Sequence, residues 1–105
     1  MDKQFTEQQL TAIVEEAMIY MCACPAQVAE QLRHLRDLYK YQVNCGSLPN
    51  TDSNVHQVIA QAASEAHAIM EACMDKILTI EGWDRETLTM PEGLRRVRDD
   101  LIRNG

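Results

Sequence analysis

Hydrophobic residues recur along this chain at the three- and four-residue spacing of buried helix faces, and no strand-like alternation survives anywhere. Leu10, Ile13, Val14, Ala17, Met18 and Met21 make the first such stripe. Thr6 with Gln9 three residues later is a capping-box start for it. Pro25 ends that helix, because its ring would clash with the carbonyl of Met21 and it pushes Cys24 out of the α region. Proline also suits the first position of a new helix. Cys24 therefore reads as an N-cap, and the second helix runs from Pro25 to about Asn44, burying Val28, Leu32, Leu35, Tyr39 and Val43.

Gly46 supplies a stop, and GSLPNTDSN is the clearest loop in the chain. A third helix starts at Asp52 or Ser53 and runs to Glu81-Gly82, with a seam of Val55, Ile59, Ala62, Ala66, Ile69, Cys73, Ile77 and Ile80. After Trp83 an irregular stretch leads to Thr89-Met90-Pro91-Glu92, the start of a last helix carrying Leu94, Val97 and Leu101. The pattern predicts an all-α fold: an antiparallel helical bundle of three long helices plus a short C-terminal helix, as one domain over residues 1–105. A structural competitor has Pro25 merely kinking one helix from Thr6 to Asn44. Its halves would then splay, which favours a swapped dimer.

Length adds a constraint. A third helix of about 28 residues is ~42 Å long, against ~30 Å for the second. Its last turns outrun the hairpin partner, so Ile77 and Ile80 need cover from the fourth helix or from a second subunit. The alanines of the third helix (Ala60, Ala62, Ala63, Ala66, Ala68 and Ala72) allow another helix to approach closely.

Composition narrows the function classes. Hydrophobic residues are 46% and charged residues 25% of the chain, the balance of a folded domain with a real core. The net charge of -6 argues against nucleic acid and against an anionic membrane as partners. The amino terminus lacks the basic and apolar regions of a secretory signal, and the longest apolar run, ten residues, is short of the ~20 needed to span a bilayer. A soluble cytoplasmic protein with reduced cysteines is the expectation.

That apolar run, Ala17 to Ala26, holds the candidate chemistry. Antiparallel geometry places Cys22, Cys24 and Cys73 at one end of the bundle with Met18, Met21, Met70 and Met74, leaving Cys45 alone at the other end. Clustered sulfur suits Cu(I), Zn or an iron–sulfur cluster, with His67 as the nearest nitrogen donor. The Cys-x-Cys spacing and a single further cysteine fall short of a four-ligand zinc set. Cys24 at a helix N-terminus also suits a thiolate, with Cys22 as resolving thiol, although the apolar surroundings oppose ionisation. Against both stands simple packing, since cysteine and methionine are common core residues. Packing is the preferred reading, and no cofactor is expected.

The remaining polar residues suggest surface roles. His34, His56 and His67 form no i, i+4 metal pair and read as surface or boundary histidines. Glu15 and Glu16 share the polar face of the first helix. Arg33, Arg36 and Lys40 read as a solvated stripe able to dock an acidic partner. Arg95, Arg96, Asp99, Asp100 and Arg103 pair among themselves along the last helix. There is no glycine-rich phosphate loop, nucleophile elbow or dinucleotide fingerprint. The expectation is a non-catalytic helical-bundle protein acting through protein–protein association, as a homo-oligomer or partner subunit. The alternative is a soft-metal or thiol-redox site at the Cys-x-Cys-Pro junction.

Overall fold

The structure, a computed structural model, describes residues 1–17, 24–46 and 53–91. All regular structure among these residues is helical: α1 spans Glu7–Ala17, α2 Cys24–Gly46 and α3 Ser53–Glu81. The proposed fourth helix, Cys22 and the methionines at 18 and 21 lie outside the described residues.

Each helix starts or stops where local chemistry requires. The Thr6–Gln9 capping box forms: Gln9 Oε1 accepts from Thr6 N–H at 2.8 Å and Thr6 Oγ1 accepts from Gln9 N–H at 3.0 Å. At the other end of the chain, Gly82 takes φ +75° and closes α3 in a Schellman turn. Trp83 N–H donates to the Leu78 carbonyl at 2.9 Å and Gly82 N–H to that of Thr79 at 3.1 Å. The chain then folds back over α1, with Met90 N–H donating to Glu16 Oε1 at 3.1 Å.

α1 lies back along α2. Arg33 Nη2 donates to Thr11 Oγ1, and Arg36 Nη1 pairs with Glu7 Oε1 at 2.6 Å. Side-by-side packing of these two helices overturns the alternative in which they splay as halves of one helix kinked at Pro25. α2 and α3 then pair in opposite senses, Arg36 against His67 and Gln42 against His56. They come near each other at Gly46, where a Cβ would stand 3.1 Å from that of His56.

The core sits in the half of the hairpin that α1 covers. Leu10 and Ile13 of α1, Leu32 of α2, and Met74 and Leu78 of α3 are fully buried, closed off by Phe5, Trp83, Leu88 and Met90. An eleven-residue α1 is about 16 Å long at the helical rise, whereas α3 with 29 residues is about 43 Å. The molecule is accordingly elongated, with extents of 58 × 25 × 18 Å. Its radius of gyration, 17.0 Å, exceeds the ~13 Å of a compact chain of this length.

Three expectations about which faces are buried need correction. On α3 the core face is Ala63, His67, Glu71, Met74 and Leu78, while Val55, Ile69 and Ile80 of the expected seam are exposed. On α2, Val43 is exposed and Gln42 is buried, because Gln42 faces His56 across the hairpin. Arg36 and His67, read as surface groups, are both inside. The cause is the same each time. Polar residues that satisfy one another occupy core positions, and the hydrophobic spacing tracked a different face.

Candidate functional site

Two features stand out from ordinary packing: a buried polar cluster and a bare apolar face. The cluster centres on Arg36. Its Nε donates to His67 Nε2 at 2.9 Å, its Nη1 to Glu7 Oε1 at 2.6 Å and its Nη2 to the Phe5 carbonyl at 2.6 Å. Glu71, also buried, accepts the backbone N–H groups of Gln4 at 2.6 Å and Phe5 at 2.8 Å. Between them, Arg36 and Glu71 tie the amino-terminal residues across α2 and α3.

The hydrogen bond from Arg36 uses the lone pair on His67 Nε2, which assigns the ring proton to Nδ1. Nδ1 is buried without a hydrogen-bond partner, 3.5 Å from Glu71 Oε1. Burial lowers the His67 pKa; the Glu71 carboxylate opposes that shift and the Arg36 charge adds to it. The Arg36 hydrogen bond holds the Glu7 carboxyl below its usual range. The cluster's charges are spent on one another and on backbone. It reads as a fastening, and on its outer side Glu7 and Arg36 border an open hollow of about 470 Å³ with Lys3, Tyr39 and Lys40.

The sulfur candidates fare differently. Cys24 is the first residue of α2, half-buried, and Cys73 is half-buried on α3; both are thiols. The Arg36–His67 pairing sets the register of the hairpin. Twelve residues before Arg36 is Cys24, and twelve after His67 is Thr79, so Cys73 falls about 9 Å short of the level of Cys24. His67 points to Arg36 and Glu71. Among the described residues no three His, Cys, Asp or Glu side chains are placed to hold a metal ion. Cys22 is outside the described residues, so its place in such a set is not part of this geometry.

The bare face is the second feature. Val55, Val58, Ile69 and Ile80 of α3 are 51–81% exposed, and Leu38 of α2 is 40% exposed. On α3 these residues stand roughly a third of a turn or more from the core face and nearly opposite Glu71, which holds the amino-terminal segment. They therefore mark the side of the hairpin turned away from α1. Ala62, Ala66 and Cys73 continue the same stripe between them. One further signal runs through the sequence here. From Tyr41 to Ser64, twenty-four residues carry a single charged side chain, Asp52, in a chain that is one-quarter charged. Depletion of charge marks the centre of protein interfaces.

No family model, curated protein or solved structure matches this chain. No helix among the described residues is long and apolar enough to cross a membrane.

Proposed function

We propose that this protein is a non-catalytic association module that works through the face of the α2–α3 hairpin turned away from α1. The observation that carries the reading is the exposed line of Val55, Val58, Ile69 and Ile80 on a helix whose opposite face already packs a core. A helix hydrophobic on two sides needs two neighbours. Monomeric proteins seldom leave so long an apolar patch open to water. The charge-poor stretch from Tyr41 to Ser64 supports the same surface, since a partner seated there strips water from few ions. Once covered, the two helices become part of the helical bundle that the hydrophobic pattern predicts.

The reading is tested by a photo-crosslinking residue placed singly at Ile69, at Val58, or at exposed Asp37 on the flank of α2 beside α1, in cells making the protein. Discrete adducts at Ile69 and Val58, absent at Asp37, are the expected result. The same pattern at all three positions, or no discrete adduct at any, overturns it.

A further inference from the structure

We propose that the amino-terminal segment is an acid-released strap: a proton on His67 unfastens Gln4 and Phe5 from Arg36 and Glu71 while the three helices stay packed.

The fastening is concentrated on two side chains. Glu71 accepts the Gln4 N–H at 2.6 Å on Oε1 and the Phe5 N–H at 2.8 Å on Oε2. Arg36 Nη2 donates to the Phe5 carbonyl at 2.6 Å. Phe5 is buried in the core cluster that also holds Leu10, Trp83 and Leu88. His67 lies between the two holders. Its Nε2 accepts from Arg36 Nε at 2.9 Å, and its Nδ1 stands 3.5 Å from the Glu71 oxygen that holds Gln4.

This arrangement fits only a neutral ring. A protonated imidazole carries a hydrogen on both nitrogens, so Nε2 can no longer accept and Arg36 Nε–H meets a second donor. Turning the ring over changes nothing, because both nitrogens then donate. Arg36 has to shift its guanidinium, and Nη2 leaves the Phe5 carbonyl with it. On the other side, Nδ1 is buried without a hydrogen-bond partner. Once charged, its N–H draws in Glu71 Oε1, and an oxygen drawn to the ring is lost to Gln4. Both holders yield to the same proton.

The surrounding charges set the direction of the response. From α2 the ring faces Arg36, from α3 Glu71, and from the amino-terminal segment Lys3 and the terminal amine. Glu7 of α1 acts on the site through Arg36, with which it pairs at 2.6 Å. Burial disfavours the imidazolium, and three of the four facing charges are positive. The closed segment therefore refuses the proton that His67 accepts once opening lets in water. Acid favours opening below the ordinary value of 6.5, and the strap stays closed above it.

The helices have their own contacts. Leu10, Ile13, Leu32, Met74 and Leu78 are fully buried across α1, α2 and α3, and Arg33 holds Thr11 and Glu7 of α1. None of these contacts involves His67. Through Met1 and Lys3 the strap also walls the hollow along Arg36, Lys40 and Val43. Its release widens that hollow and uncovers the core end under Phe5.

Amide exchange of the full chain at about pH 7 and about pH 5.5, above the ordinary carboxylate range, tests the proposal. Rates are expressed as protection factors, which removes the intrinsic pH dependence of exchange. The Phe5 amide should be less protected than the buried Ala29 amide of α2 at both pH values, the mark of a local opening. Its protection should fall about eightfold from the higher pH to the lower, the linkage expected of one group with an ordinary value of 6.5 in the open state. In His67→Gln the amide oxygen still accepts from Arg36 and no charge appears at either pH, so the fall should vanish. Equal protection of Phe5 and Ala29 overturns the proposal, because the segment then leaves only when the whole domain unfolds. A Phe5 protection that changes less than twofold overturns it by showing that His67 takes no proton on opening. Both of these outcomes are read on the wild-type chain, whether or not the variant folds. An undiminished fall in folded His67→Gln assigns the response to another group and also overturns it.

Discussion

Arg36 donates its Nε–H to His67 Nε2 across the interior of the hairpin at 2.9 Å, and the same guanidinium reaches Glu7 of α1 and the carbonyl of Phe5. One side chain thus joins all three helices and the amino-terminal segment. Removing it leaves buried acceptors without a donor, which costs more than the contact itself contributes. Arg36→Met should lower the unfolding free energy by about 3 kcal/mol or more. Lys40→Met, one turn along and exposed, should change it by no more than about 0.5 kcal/mol. Denaturant unfolding of the two variants checks the contrast.

His67 gives the protein a predictable response to acid. Its folded pKa is lowered, chiefly by burial, from an ordinary value of 6.5. Below pH 6.5 the unfolded chain binds a proton that the folded chain refuses, so stability falls as pH drops through that value. The loss continues down to the lowered folded pKa and then levels off, while above pH 6.5 the contribution is fully present. Urea midpoints across this range should therefore rise with pH, and His67→Gln should flatten the slope. An unchanged slope in His67→Gln would show that His67 does not titrate as its burial requires.

Glu71 holds the backbone N–H groups of Gln4 and Phe5 with both carboxylate oxygens. In Glu71→Gln one oxygen becomes an NH₂, which faces an N–H and cannot accept from it. The expected cost is about 1–3 kcal/mol. Amide exchange at Gln4 and Phe5 should accelerate at least tenfold, with α2 amides near Ala29 little changed.

The two apolar faces of α3 should behave differently when truncated. Leu78 is fully buried among the core residues, so Leu78→Ala should cost about 2–5 kcal/mol. Ile69 is 69% exposed, and in dilute protein Ile69→Ala should stay within about 0.5 kcal/mol of wild type. Thermal and urea unfolding at low concentration measure both. A large loss from Ile69→Ala under dilute conditions would mean that this face packs within the monomer.

Much of the helical layout was legible in the sequence. The Thr6–Gln9 pair, the Cys24–Pro25 start and the Gly82 stop each act through a few neighbouring residues, and local chemistry decides them. The faces were harder to read. Hydrophobic spacing found the line through Val55, Ala62, Ile69 and Ile80, which is a real stripe of the helix but not the one that meets α1 and α2. The true core face carries His67 and Glu71, whose burial depends on Arg36, thirty-one residues away from His67, and on backbone N–H groups near the amino terminus. No periodicity encodes a partnership between residues so distant in sequence. The near-absence of charge from Tyr41 to Ser64 was a visible signal for the proposed association surface, and it gains meaning only beside the exposure of Val55 and Val58.

The proposed association leaves the line through Ile69 open in the single chain and covers it when the partner binds. It is tested most directly by the rate at which an Ile69→Cys thiol, in a cysteine-free background, reacts with a small permeant maleimide in dilute purified protein and in the cells that make it. Labelling should be as fast as that of a free thiol in the dilute chain and at least tenfold slower in cells. A thiol protected in the dilute chain would place this face inside the monomer and contradict the proposed association. So would one that reacts as fast in cells as in the dilute chain.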